Sequence, residues 1–292
     1  MIIVNLIGGL GNQMFQYAVG RSLSLRLAAP LRLDGSGFAS YGLHQGFELS
    51  RVFACDPEIA TQKEVRDLLG WRASWLARRI LMRPSLEMLH GTTLVIEPHF
   101  HYWPGIREVS HNAYLAGYWQ SEKYFSDASE TIRADFTFRQ PLSEQNAEMA
   151  ERIGQAIAVS LHVRRGDYAS DPKTNTAHGL CSLEYYRAAV LYMAERIERP
   201  VFFVFSDDIA WVKANLNIDL PCWYVDHNQG AESYNDMRLM SLCRHHIIAN
   251  SSFSWWGAWL NRDPEKIVAA PSRWFANGKR SEDLLPASWV LL

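Results

Sequence analysis

Six stretches of this chain are apolar almost without interruption: 2–7 (IIVNLI), 156–163 (AIAVSLHV), 201–206 (VFFVFS), 222–226 (CWYVD), 246–250 (HIIAN) and 266–270 (KIVAA). A strand with one wetted face alternates apolar and polar residues, so runs like these need cover on both faces, the condition inside a parallel sheet. Helical patterns lie between them. The clearest are 183–197, opening after Ser182 as a cap, and 232–243, with Tyr234, Met237, Met240 and Leu242 apolar. Near the N-terminus, Phe15, Ala18, Val19, Leu23 and Leu27 recur at helical spacing directly after GGLGNQ (8–13). The glycines therefore read as a strand-to-helix turn whose helix N-terminus faces outward and suits anions. Strands alternating with helices predict βαβ crossovers, and ligands of such sheets bind beyond the carboxyl ends of the strands.

At 292 residues, the chain is long enough for two modest domains, given about 100 to 200 residues for each. The stretch 138–146 (FRQPLSEQN) breaks the pattern with Pro and polar residues, placing the division between 140 and 150, with domains 1–145 and 146–292. Hydrophobic residues at 48% and charged residues at 21% exclude global disorder. With 29 Lys and Arg against 31 Asp and Glu, the net charge of -2 supplies no broad basic surface for nucleic acid.

The 4 cysteines are scattered without C-x-x-C spacing, which argues against a disulfide framework and a structural zinc. The N-terminus has neither a basic leader nor a small-residue cleavage site, and no run reaches the roughly 18 to 20 apolar residues of a membrane span. A cytoplasmic protein is expected. One local exception to the neutral balance is 63–84, with six basic and two acidic residues among Trp71, Leu76, Ile80 and Leu81. It reads either as a solvated helix over the first domain or as a surface that rests on anionic membrane, with Arg78 and Arg79 as lipid contacts.

Four polar motifs stand at predicted strand ends. After 156–161 comes His162-Val163-Arg164-Arg165-Gly166-Asp167-Tyr168, in which guanidinium forks suit phosphate oxygens and a carboxylate can hold one arginine in place. Next is Phe205-Ser206-Asp207-Asp208, whose carboxylates either accept the donors of guanine and ribose or cap the following helix. It is not a metal-gripping D-x-D. Asn250-Ser251-Ser252-Phe253-Ser254 places hydroxyls at a helix start, where they contact phosphate or simply cap. Gly8-Gly9-Leu10-Gly11-Asn12-Gln13 matches neither G-x-G-x-x-G nor a P-loop, yet Gly9 permits close backbone approach, and Asn12 and Gln13 offer amide donors. Together they describe a nucleotide-type ligand held in an interdomain cleft.

GGLGNQMFQYA (8–18), GYWQSEKYF (117–125), HVRRGDY (162–168), FSDD (205–208) and NSSFSWWGAWLN (250–261) resemble, in order, the bacterial α-1,2-fucosyltransferases of glycosyltransferase family 11. The resemblance implies an α/β, GT-B-like architecture: two Rossmann-like domains with mainly parallel sheets facing a cleft, the C-terminal one holding GDP-fucose. It implies transfer of L-fucose from GDP-β-L-fucose to the 2-hydroxyl of a terminal β-galactose, with inversion, no obligatory metal and no other cofactor. By the same resemblance Arg164 binds the leaving β-phosphate, with Arg165 beside it. His162, Asp207 or Asp208 face guanine and ribose, and Ser251, Ser252 or Ser254 contact phosphate.

The base that takes the acceptor proton is open among Asp167, Asp171, His44 and Glu97, and Asp167 has the alternative role of orienting an arginine. Trp103, Trp119 and Tyr124 either stack on the acceptor sugar or pack in the core. Bacterial members act on lipid-linked precursors of surface polysaccharide, which implies work at the inner membrane face. Two competing readings are a fucosyltransferase of another linkage and a non-catalytic GDP-sugar sensor.

Overall fold

The computed structural model describes residues 1–40, 45–81, 83–166 and 179–292. The chain forms two compact units, Met1–Arg139 with Glu282–Leu284, and Gln140–Ser281 with Leu285–Leu292.

In the first unit, β1 (Ile2–Asn5) turns into α1 (Leu10–Leu27) and β2 (Leu31–Asp34). The short helices α2 (Leu49–Val52), α3 (Gln62–Leu69) and α4 (Trp75–Leu81) precede β3 (Leu94–Ile96), β4 (Ala113–Ala116) and α5 (Ser129–Asp135). The strand order is β2-β1-β4-β3, and every pair is parallel. Ile2, Ile3 and Val4 are wholly buried, as an apolar run covered on both faces requires. Helix α1 lies against β1 at Gly20, where a Cβ would stand 2.3 Å from a Val4 methyl, so only glycine permits that approach.

The second unit runs α6 (Glu144–Gly154), β5 (Ile157–Val163), α7 (Leu183–Arg196), β6 (Pro200–Ser206), α8 (Ile209–Asn215) and β7 (Cys222–Val225). It continues through α9 (Tyr234–Leu242), β8 (His245–Ile247), α10 (Ser252–Leu260), β9 (Val268–Ala270) and β10 (Val290–Leu291). Its sheet is also parallel throughout, in the order β10-β9-β8-β5-β6-β7. Strand β5 therefore stands between β6 and β8, and all three end at the same edge. Val159, Leu161 and Val163 pack with Tyr186, Met193 and Val204 on one face.

A polar chain crosses this core. Ser160 Oγ lies 2.9 Å from His246 Nδ1, and His246 Nε2 lies 2.9 Å from Asn261 Nδ2, which also donates to the Cys243 carbonyl at 2.9 Å. Burial holds the His246 imidazole well below its ordinary range, so the ring is neutral inside the sheet.

Several of the largest aromatic residues, Trp119, Trp255 and Trp256 among them, are fully buried. Trp255 meets Trp256 at 4.9 Å and Trp289 at 5.5 Å between ring centroids, all of them buried. Trp119 and Tyr124 are buried too, with rings edge to face at 5.4 Å, so the core alternative holds for both.

Candidate active site

The carboxyl ends of β5 and β6 are joined by charge. The register puts His162 opposite Phe205 and Val163 opposite Ser206, so the residues that follow each strand meet. Arg164 Nη1 lies 2.7 Å from Asp207 Oδ2, with the two side chains 28% and 26% exposed. The other oxygen of Asp207 accepts the backbone N–H of Arg165 at 2.8 Å. One carboxylate thus fixes both a guanidinium and the main chain beside it. Gly166 leaves the room for this, because a Cβ there would stand 2.5 Å from Asp207 Oδ2.

Arg165 turns the other way. Its guanidinium carbon sits 3.6 Å over the Trp211 ring, and its Nε is 3.4 Å from Asp208 Oδ2. Asp208 in turn caps α8, accepting the Trp211 N–H at 3.1 Å while its own N–H donates to Ser206 Oγ at 3.0 Å. The acidic pair is therefore divided: Asp208 takes the capping alternative, and Asp207 orients Arg164, a role the sequence offered for Asp167. Arg165 ties the turn after β5 to α8.

His162 completes this group. Its ring is buried 6.0 Å from that of Phe253 in the first turn of α10, and among the described residues Nδ1 has no hydrogen-bond partner. Burial pushes the imidazole down to about 4, Asp207 opposing and Arg164 adding to the shift, so the ring is neutral at pH 7. At the start of α10, Ser251 caps by accepting the Phe253 N–H at 3.3 Å. Ser254 is wholly buried and donates to the carbonyls of Ala249 and Ser251, so its hydroxyl is occupied by main chain. Ser252 is half-buried in the first turn. The Asn250 amide is held by the carbonyls of Gly179 and Trp274.

The glycine turn of the first unit is built differently. Gly8 has φ +79, and a Cβ on it would stand 2.4 Å from Asn12 Nδ2. Gly9 caps α1 with its carbonyl, which accepts the N–H of Asn12 at 2.9 Å and of Gln13 at 3.1 Å. Asn12 Oδ1 accepts from Gln120 at 2.5 Å. Gln13 is wholly buried: its amide donates to Gly8 O at 3.1 Å and Gly46 O at 2.7 Å, and its oxygen accepts the Glu48 N–H at 3.0 Å. The amide offered as a ligand donor is thus engaged within the turn itself.

Of the base candidates, Glu97 accepts the backbone N–H of Tyr118 at 2.7 Å and of Trp119 at 3.0 Å, one on each oxygen, and so braces the loop after β4. Asp167, Asp171 and His44 lie outside the described residues.

Two polar clusters escaped the sequence reading. Asp34, at the end of β2, is buried and accepts from the Tyr114 hydroxyl at 2.6 Å and from Arg78 at 2.9 Å. Arg78 is therefore an internal ion-pair partner, which corrects its reading as a lipid contact. In the second unit, Asp236 sits in the first turn of α9 and accepts from Asn228, just beyond β7, at 2.8 Å. Burial pushes its carboxyl up to about 7. Its only sequence signal was an acid between the apolar positions Tyr234 and Met237 of a helical pattern.

The sequence profile described as Glycosyl transferase family 11 matches residues 105–292. An alpha-1,2-colitosyltransferase of Escherichia coli is 37% identical over 99% of this chain and 98% of that protein. The O-antigen biosynthesis glycosyltransferase WbnK of Escherichia coli is 33% identical over 98% of this chain and 99% of that one. Among solved structures, fucosyltransferase NodZ from Bradyrhizobium superposes with a TM-score of 0.53 at 17% identity, covering 88% of this chain and 91% of that one. NodZ alpha-1,6-fucosyltransferase co-crystallized with GDP gives the same TM-score at 16% identity and the same coverage. At that identity the likeness establishes the fold, which is GT-B-like.

Proposed function

From the premise that this chain belongs to glycosyltransferase family 11, we propose that it moves L-fucose from GDP-β-L-fucose to the 2-hydroxyl of a terminal β-galactose. Its acceptor is a lipid-linked oligosaccharide at the inner face of the cytoplasmic membrane. The observation that carries the donor assignment is the Arg164 guanidinium held by Asp207 at the end of β5. A guanidinium is a fixed, planar fork of donors whose geometry and charge suit phosphate oxygens.

In the reaction, the galactose O2 attacks the fucosyl C1 from the face opposite GDP. The bond from C1 to the β-phosphate oxygen breaks, and its electron pair leaves with GDP. Negative charge grows on that phosphate, and a guanidinium already aimed by a carboxylate meets it without reorganising. Arg164 so takes the part a metal ion plays in other transferases, and no metal is needed. Ser252 and the amides opening α10 supply neutral donors to the phosphates, with Ser251 shaping that turn.

The orphaned Nδ1 of His162 supports a contact with the nucleoside. Asp207 and Arg165 act as positioning groups. Of the base candidates, Asp167, two residues beyond Arg165 in the sequence, is assigned the acceptor proton. Glu97, with both oxygens on backbone N–H groups, is a poor base.

The similarity to an alpha-1,2-colitosyltransferase favours a second reading in which the donor sugar is colitose, which lacks the 3-hydroxyl of fucose. One assay separates the readings: transfer from GDP-fucose and GDP-colitose to a panel of β-galactosides in EDTA, with the product linkage read by NMR. An α-1,2-fucosyl product is the expected result. Preference for GDP-colitose moves the donor to the second reading, another linkage removes the galactose O2 assignment, and loss of transfer in EDTA removes the metal-free mechanism. Tight GDP-fucose binding without transfer to any acceptor makes the protein a sensor.

A further inference from the structure

The segment from α3 to residue 89 has an inner face that the first unit explains and an outer face that it does not. Val65, Leu69 and Leu81 are buried against Ile3, Leu94 and Tyr114. Arg78 is paired with Asp34, and Arg72 donates to the carbonyls of Leu69 and His90 and to Thr93 Oγ1. These two cations belong to the interior of the unit. Outward stand Trp71 at 65% exposure, Leu76 at 52% and Met88 at 97%, with Ile80 and Leu89 also exposed.

Arg79 and Arg83 are exposed among them. Leu76, Arg79 and Ile80 follow at intervals of three and four, so they form one stripe along α4, and Arg83 is exposed just beyond the end of that helix. Between residues 71 and 89 the sequence has four arginines and a single acid, Glu87.

We infer that this stripe, with Trp71 and Met88, docks on a bilayer surface rich in anionic phospholipid. A solvated face would carry charge in place of Leu76 and Ile80, which here lie in water. Large apolar side chains interleaved with arginine match a headgroup boundary: the apolar groups enter the acyl edge, and the guanidiniums remain level with the phosphates. Trp favours that same depth. The excess of positive charge selects a surface of lipid phosphates as the occupant over a second copy of this chain, whose matching face would repel it. The inference deepens the reading of a lipid-linked acceptor, though it stands on the surface and not on the donor site.

The test is flotation of the full chain with vesicles of phosphatidylcholine alone or mixed with phosphatidylglycerol. Partition onto the anionic vesicles is expected to exceed that onto neutral ones by about tenfold or more at low salt and to fall in about 1 M salt. Leu76→Ser with Ile80→Ser lowers partition on both. Arg79→Glu with Arg83→Glu abolishes the anionic preference, and Lys at the same two positions restores it. Arg78 is left intact, because its replacement breaks an internal ion pair.

Both double variants keep wild-type transfer to a soluble β-galactoside, so a failed transfer reaction and a failed membrane contact are read separately. Equal partition of the wild type on the two vesicles, or unchanged partition of either double variant, overturns the inference. Self-association in solution that the Leu76 and Ile80 changes abolish would overturn it too, assigning the face to a second copy.

Discussion

Two turns, one in each unit, present polar residues at the carboxyl end of a buried parallel strand. After β5 the side chains are charged and partly exposed, and they are held from β6 by Asp207. After β1 the side chains are amides, and Gln13 is wholly buried with its donors and acceptor engaged by Gly8, Gly46 and Glu48. The first arrangement stores a charge that a ligand can use. The second uses its polar atoms to set the path of its own backbone. Residue type at a strand end therefore marks a candidate, and charge and exposure separate a group that can meet a ligand from one buried in its own turn.

The largest expected effect falls on the first turn. Arg164→Ala should lower kcat by about 10²- to 10³-fold while circular dichroism shows the protein folded, as for loss of one preorganised donor. Activity within about threefold of wild type would end its assigned role. Gly166→Ala should act in the same direction without touching the guanidinium, because the added methyl displaces Asp207.

In the second turn the effect should be on stability. Gln13→Ala leaves two carbonyls and one N–H without a partner in the interior, at about 3 kcal/mol in a urea titration, with kcat/KM nearly unchanged where the protein remains folded. A large loss of activity in a stable Gln13 variant would place a ligand at this turn after all.

Two titrating groups of the second unit differ in sign. The imidazole of His162 is held at about 4 in the folded protein, below its ordinary value, so its contribution to stability is present above about pH 6.5 and is lost as pH falls toward 4. The carboxyl of Asp236 is raised to about 7, so stability is present below about pH 4 and is lost as pH rises through 7. Asp236→Asn should therefore stabilise the second unit at pH 8 relative to pH 5, by about 2 kcal/mol after allowance for solvent screening. Chemical denaturation at the two pH values measures it, and a pH-independent difference would show that the carboxyl is ionised throughout.

The smallest effect belongs to the clamp. Trp211→Leu removes the surface beneath Arg165, worth about 1 kcal/mol, and should lower kcat several-fold with little change in KM for the donor. Trp211→Phe should restore most of it. A rise in KM alone would give Arg165 a direct part in donor binding.

The six apolar runs each overlap a strand of the structure, β1 and β5 through β9, because continuous burial on both faces leaves a continuous mark. Strands β2, β3, β4 and β10 were not read. They are two to four residues long, and the sheet completes them by pairing with distant strands. Arg164, Asp207 and Asp208 were legible as chemistry, but the division of the two acids between orienting and capping followed from the β5 and β6 register. Asp34 was not legible, because its partners Arg78 and Tyr114 come from remote parts of the chain.

The parallel architecture and the placing of charge at the strand ends were written in the local sequence, since apolar continuity and side-chain chemistry are properties of a short stretch. Which polar atoms are occupied, that Arg78 faces Asp34 while Arg79 faces water, and that one glycine turn is closed while another turn holds a poised guanidinium were decided by tertiary structure. A hydrogen bond or an ion pair is completed by whatever group the fold brings within reach, and for Arg78 and Arg164 that group lies more than forty residues away along the chain.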